Sequence, residues 1–373
     1  MFEVDHTSIN GDCESALVVK VRSGGSERNI IKIFDECKPK AFGIIAYPSK
    51  NSLAAALEAA EALPRGGVCF ARNAKEEEEC IRAIRRLERF VDSKVALIGG
   101  VAPWLVAQKS TPHTFKSVLS MNVEKISLNE VFRKFYEIKD ENLENVVKNL
   151  IAGTKDPEEI LKRFKWEQLL DIARFHVAFS DFVSELEKDG FRAFAINCFE
   201  IIKHLGITPC ITVAHLLTAN KPLACEGDLD SLLTQIVAYS AFNRVGGIFN
   251  LDYYEEGITM FAHCTIPLYM ALEYTFVPHY ETGRPAAIKA HVDEDEEFSA
   301  IKFMGNGFEV LEGKTINMPE QDACRTQIWL KHDPNFIPWG NHRVLINVTN
   351  WERIKFVADS LGLKGSRRFR GTE

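Results

Sequence analysis

Four short apolar runs separated by helical stretches constrain the first third of this chain more than any other feature. Residues 15–22 (SALVVKVR) alternate as a strand does, while Ala41 to Tyr47 (AFGIIAY), Gly67 to Ala71 and Lys94 to Gly100 (KVALIGG) suit strands buried in a sheet. Between them, Asn51-Ser52-Leu53 opens a helix over Ala54 to Leu63 that Pro64 ends, and Lys75 to Val91 is a strongly charged amphipathic helix. Strand and helix in regular alternation predict a doubly wound α/β architecture. The Ser23-Gly24-Gly25-Ser26-Glu27 turn lacks both a Walker lysine and dinucleotide spacing, and reads as a tight turn.

From Ser127 to Lys188 the pattern is helical and heavily charged, with Asp156-Pro157-Glu158-Glu159 as a helix start. Leu161, Phe164, Leu169, Ile172, Phe175, Phe179 and Val183 recur at helical spacing, which marks core, and His176 in that stripe reads as a packed or surface histidine. From Arg284 onward short runs dominate: Ala286 to His291, Phe298 to Met304, Phe308 to Glu312 and Cys324 to Leu330, divided by turn signals. They predict an antiparallel β domain, in which the acidic run Asp293 to Glu297 is a solvated loop. Arg343 to Val348 adds a strand, and Trp351 to Leu361 a closing helix stopped by Gly362. The expected division is an N-terminal α/β part over 1–92, a middle α/β part with inserted helices over 93–275, and the antiparallel domain over 276–373.

With 373 residues, 46% apolar and 26% charged, the chain can bury large cores. Its net charge of −7 argues against nucleic acid or a membrane surface as partner, because phosphate recognition needs a concentrated basic face. Only the tail, Lys364 to Arg370, is basic, and it reads as a frayed terminus. No apolar run after Met1 looks like a signal peptide and none approaches a membrane span, so a cytoplasmic location is expected. The nine cysteines, Cys69, Cys80, Cys198, Cys210, Cys225 and Cys264 among them, lack paired spacing and are expected to be reduced thiols.

The chemistry concentrates between Phe191 and Ile236. Phe194 to Phe199 suits a buried strand that delivers Glu200 at its end. A second apolar run, Cys210 to Leu217, precedes Ala-Cys-Glu-Gly-Asp at 224–228, which enters a helix marked by Leu229, Leu232, Leu233, Ile236 and Val237. Glu200 and Glu226 thus fall beyond strand ends, where an α/β fold exposes groups to a cleft. Two carboxylates there can hold a hard cation or exchange protons with a substrate. By position alone the plainer reading leads: Glu226 and Asp228 are helix N-terminal acids, with Asp228 or Asp230 as the cap.

Phe199-Glu200 and Glu226-Gly227-Asp228, in this order, resemble the catalytic core of the L-arabinose and L-fucose isomerase superfamily. The segments "GGSE…NSLAAALE" and "ALIGG-AxWL" resemble shorter members and the start of the family's middle domain. His263-Cys264 before Pro267 resembles a pocket wall of those shorter members, and Pro338-Trp339-Gly340-Asn341-His342 resembles the C-terminal "GxHH" segment, with Asn341 in place of its first histidine. The resemblance implies an aldose-ketose isomerase acting on a sugar through an ene-diol. It also implies Mn²⁺ or a similar divalent ion held by Glu200, Glu226 and His342, proton transfer shared by Glu200 and Glu226, and substrate contacts from His263 and Asp228. A closed homo-oligomer, trimer or hexamer, belongs to the same expectation. Two other readings stand beside it: a noncatalytic sugar-binding or regulatory protein, and a metal-dependent epimerase or lyase.

Overall fold

The computed structural model describes residues 4–8 and 13–370. In the N-terminal part, β1 (Val4–Ser8), β2 (Ala16–Val21), β3 (Ala41–Ala46) and β4 (Gly67–Phe70) form one sheet in that order. The β2–β3 and β3–β4 pairs are parallel, joined through α1 (Glu27–Cys37) and α2 (Ser52–Ala62), while β1 is an antiparallel edge. Next, α3 (Ala74–Glu88) leads into the middle sheet. Asn73 caps this helix by accepting from the Glu76 amide at 3.0 Å.

The middle sheet contains β5 (Lys94–Ile98), β6 (Asn122–Ile126), β7 (Phe191–Ile196) and β8 (Leu223–Cys225), all parallel, in the order β6-β5-β7-β8. The helix α4 (Pro112–Leu119) connects β5 to β6. Between β6 and β7 lie α5 (Leu128–Glu137), α6 (Leu143–Ala152), α7 (Pro157–Arg163) and α8 (Trp166–Lys188). The chain steps from β5 outward to β6 and then back to β7 on the other flank of β5. That reversal opens a crevice beyond the carboxyl ends of β5 and β7.

The helices α9 (Cys198–Leu205), α10 (Cys210–Thr218) and α11 (Leu229–Phe242) follow. Every residue of α11 from Leu229 to Ala241 is buried. The reason is its placement, packed against α3 and β8 on one side and the C-terminal strands on the other.

Those strands make a barrel. β9 (Gly247–Glu255), β10 (Ile258–His263), β11 (Glu273–Val277), β12 (Ala287–His291), β13 (Glu297–Phe303), β14 (Phe308–Thr315), β15 (Thr326–His332) and β16 (Arg343–Ile346) follow one another, and α12 (Trp351–Ser360) and β17 (Arg367–Arg370) complete the chain. Six of them run β13-β16-β9-β10-β15-β14, and β14 pairs again with β13, closing the sheet with antiparallel neighbours throughout. Closure removes the exposed sheet edges an open antiparallel sheet would leave. The barrel recruits β9 and β10 from before residue 276, and α12 packs on β3 and β4, so the N-terminal and C-terminal parts share a surface.

Two expectations change. The basic tail is not frayed: β17 pairs in parallel with β14, and Arg367 and Arg368 form ion pairs with the buried Glu309 and Glu312. Nor are all cysteines reduced. Cys13–Cys37 and Cys69–Cys80 are disulfides with Cα atoms 5.4 and 6.5 Å apart, while Cys198, Cys210, Cys225, Cys264 and Cys324 are free and buried. Cys69 sits on β4 and Cys80 on α3, and the turn between them folds two positions with no diagnostic spacing onto each other. No helix among the described residues is long and apolar enough to cross a membrane.

The helices of the middle part carry a pH-sensitive pair. His176 on α8 and His215 on α10 stand with ring centroids 5.1 Å apart. Burial, and secondarily the neighbouring His215, pushes His176 down to about 4, and burial also lowers His215. A histidine whose folded value lies below its unfolded one, near 6.5, takes up protons more readily in the unfolded chain. Stability is therefore full above pH 6.5 and falls as the pH drops toward 4. The expected cost of His176 alone at pH 4.5 is about 2 kcal/mol. Urea unfolding of His176→Leu should lose correspondingly less stability than the wild type between pH 7 and pH 4.5; equal losses would remove His176 as a cause.

Candidate active site

The crevice is built by loops after β5, β7 and β8. The Glu226-Gly227 turn after β8 lies on the Gly99-Gly100 turn after β5: Ala102 N–H donates to the Glu226 carbonyl at 2.8 Å, and Gly227 N–H donates to the Ile196 carbonyl at 3.0 Å. Glu226 and Gly227 both occupy the left-handed region, at φ 62° and 69°. For Glu226 that is a strained backbone, of the kind that persists where the surroundings over-determine it. At Gly227 a Cβ would stand 2.2 Å from the Gly100 carbonyl oxygen, so only glycine lets the two turns touch.

Four side chains converge from this turn and from the barrel. Glu226, Asp228, His263 at the end of β10, and His342 just before β16 are all buried. Glu226 Oε1 is 3.8 Å from His263 Nε2 and 3.7 Å from His342 Nε2, and its Oε2 accepts from the Trp104 indole at 2.5 Å. His342 Nδ1 is 2.9 Å from Asp228 Oδ2. The Asp228 Oδ1 atom meanwhile caps α11, accepting from the Asp230 and Ser231 amides at 2.9 and 3.0 Å. The plainer reading of Asp228 as a cap is thus correct, and its second oxygen also fixes His342. That contact leaves His342 Nε2 facing Glu226, the arrangement in which a carboxylate orients an imidazole for its work.

Electrostatics follows from this packing. Burial alone would raise the Glu226 carboxyl, but His263, His342 and the Trp104 hydrogen bond hold it below the usual carboxylate range. Burial is likewise outweighed at Asp228, which its hydrogen bond to His342 holds low. His342 is raised: burial opposes its charge, yet Asp228 and then Glu226 win. His263 Nδ1 is buried and makes no hydrogen bond among the described residues.

Glu200 is not brought into this group. The strand stops at Ile196, Asn197 intervenes, and Glu200 lies in the first turn of α9, where its half-exposed carboxylate is 3.8 Å from Lys203 one turn on. Of the Phe199-Glu200 pair it is the phenylalanine that turns toward the site, packing edge-on against Trp104 at 4.7 Å between centroids. A helix beginning at Cys198 aims neighbouring side chains about 100° apart, so Phe199 inward means Glu200 outward.

Three contributors escaped the sequence reading. Trp104, in the loop after β5, carries no sign in sequence that its indole meets Glu226. Asp252 is the unpaired residue of a β-bulge, since Leu251 faces Phe261 while Tyr253 faces Met260. Bulges re-aim side chains beside active sites, and Asp252 lies within electrostatic reach of His263. Burial raises its carboxyl, with His263 pulling the other way. Glu281 is also raised by burial and senses His279, Glu226 and His263. Asp252 and Glu281 line a cavity of about 360 Å³. An acid inside the apolar run of β9 was the one available signal.

Among the described residues, no three His, Cys, Asp or Glu side chains stand in an arrangement that would by itself hold a metal ion. In kind, however, one carboxylate and two imidazole nitrogens suit a divalent transition ion, and the oriented His342 is what such a site requires.

No family model matches the chain. Two curated proteins are similar to part of it: the sulfoquinovose isomerases of Priestia aryabhattai and Priestia megaterium, each 21% identical over 193 residues. The match covers 49% of this chain and 40% of the length of either relative.

Proposed function

We propose that this protein is a metal-dependent aldose-ketose isomerase that moves a proton between neighbouring carbons of an open-chain sugar through an ene-diol. A sugar isomerase role in general has the support of the distant similarity to two sulfoquinovose isomerases. The observation that carries the finer reading is the meeting of Glu226, His263 and His342, which are far apart in sequence, around one carboxylate oxygen.

The same three residues would hold the cation, Mn²⁺ or a similar ion, with Asp228 orienting His342. When bound, such an ion polarises the sugar's carbonyl and neutralises developing enediolate charge. Glu226, held low and therefore ionised at neutral pH, suits this holding role. Proton transfer needs a further carboxyl, and this reading assigns it to Asp252, which the bulge of β9 sets within electrostatic reach of His263, and to Glu281, which lines the same cavity. In this reading they take over the work expected of Glu200. Trp104, Val106 and Trp339, which line a cavity beside His342, are exposed, an apolar edge consistent with the homo-oligomer, trimer or hexamer, that the family resemblance implies.

The test is isomerisation of sugars in D₂O with Mn²⁺ present, followed by NMR. Ketose bearing deuterium at the carbon that gains the proton is the expected product. A noncatalytic sugar-binding protein, the reading favoured by the lack of a ready-made metal-holding trio, would give neither ketose nor label. An epimerase would label an aldose and form no ketose.

A further inference from the structure

We propose that the loop over residues 101–110 is a strap that holds Trp104 on one oxygen of Glu226, so that Glu226 offers a cation a single oxygen and the site favours a transition ion over Ca²⁺. Trp104 is in this sense a positioning residue, with Asp230 and Gln108 as its anchors. This inference rests on the reading of Glu226, His263 and His342 as a cation site, and adds which cation that site admits.

The chain from Val101 to Ser110 forms no helix or strand, yet it is fixed at both ends to the turn and helix start that follow β8. At its beginning, Ala102 N–H donates to the Glu226 carbonyl at 2.8 Å. At its end, the Lys109 and Ser110 amides donate to the buried Asp230 carboxylate at 2.9 and 2.5 Å, and the Leu229 amide donates to Gln108 Oε1 at 2.9 Å. Asp230 lies in the first turn of α11, where Asp228 already serves as the cap, and its own carboxylate accepts from the loop instead. Val106, midway along, is 89% exposed, so the anchors and not burial hold the strap in place.

Between the anchors stands Trp104. Its ring packs edge-on against Phe199, and its indole N–H donates to Glu226 Oε2 at 2.5 Å. The other oxygen, Oε1, faces His263 Nε2 at 3.8 Å and His342 Nε2 at 3.7 Å. The two oxygens of one carboxylate therefore have separate duties. An indole nitrogen only donates, and an oxygen that accepts its short hydrogen bond is a poor cation ligand, because the cation would meet the proton. Ca²⁺ takes about six to eight oxygens and is well served by a carboxylate that gives both of its own. One carboxylate oxygen with two imidazoles suits a transition ion such as Mn²⁺ better.

The experiment titrates chelator-stripped protein with Mn²⁺ and with Ca²⁺ and takes the ratio of the two dissociation constants. Wild type should prefer Mn²⁺. Trp104→Phe keeps a ring against Phe199 and removes the N–H; its preference for Mn²⁺ should fall by about tenfold, chiefly through tighter Ca²⁺ binding, the size expected for one hydrogen bond to a charged group. Asp230→Ala should lower the preference in the same direction, and the double variant no further than Trp104→Phe alone, because both act through one contact. A wild type that prefers Ca²⁺, or a ratio that Trp104→Phe leaves unchanged in a protein that binds Mn²⁺, would overturn the selectivity and spare the cation site. A wild type that binds neither ion would remove the cation site, and the selectivity with it.

The strap itself is read without metal or turnover. In protein with ¹⁵N-labelled tryptophan, the Trp104 indole signal, identified by its loss in Trp104→Phe, should move in Glu226→Gln and in Asp230→Ala. An unmoved signal in Glu226→Gln would remove the contact, and an unmoved signal in Asp230→Ala would remove Asp230 as its anchor. Circular dichroism of the variants guards against loss of fold.

Discussion

Glu309→Gln should lower stability toward urea by about 3–5 kcal/mol. Glu309 on β14 and Arg343 on β16 are each 0% exposed and lie 2.7 Å apart inside the barrel, with the Arg343 guanidinium 5.2 Å from the centre of the Phe336 ring. Arg367 from β17 meets the other oxygen of the same carboxylate. Removing the negative charge leaves a guanidinium buried without its partner, and Arg343 Nε and Nη1 already make no hydrogen bond among the described residues. Replacing both partners with apolar residues, Glu309→Leu with Arg343→Met, should recover most of the loss, because no charge then remains to be desolvated. If the single variant unfolds at the wild-type urea midpoint, the pair contributes nothing. The position matters for the site as well, since Arg343 follows His342 directly and opens the strand that holds it.

Glu226→Gln should abolish isomerisation, with a loss of about 10³-fold or more if the carboxylate is essential to the chemistry. Mn²⁺ titration of chelator-stripped protein separates the roles. Wild type should bind, Glu226→Gln and His342→Ala should bind far more weakly, and Asp228→Asn should lose about 10- to 100-fold through its hold on His342. Glu200→Gln should bind as the wild type does, because Glu200 faces solvent on α9. Strong weakening by Glu200→Gln, or indifference to both Glu226→Gln and His342→Ala, would refute the site as described.

Much of the architecture was legible because it is local. Apolar runs such as Ala41 to Tyr47 and Lys94 to Gly100 became β3 and β5, and of the short runs after Arg284, Ala286 to His291 became β12, paired with β11 in a separate antiparallel ribbon, while the others became strands of the antiparallel barrel. Capping chemistry was legible for the same reason: Asp228 stands one residue before α11 and accepts from its first amides. The sequence by itself determined the doubly wound beginning, the antiparallel end, and the acidic turn at Glu226 to Asp228 between them.

Which side chains share the site was decided by tertiary structure. Glu200 was expected to join Glu226, but starting α9 at Cys198 turned Phe199 inward and Glu200 out. Trp104 meets Glu226 because the loops after β5 and β8 cross the same crevice, Asp252 is aimed by a bulge that only its pairing with β10 creates, and Lys302 reaches His342 because β13 and β16 are neighbours in a closed barrel. Each of these meetings joins residues that no periodicity relates. Strand order, register and barrel closure are properties of long-range pairing, and they alone place a carboxylate from one sheet against two imidazoles from another.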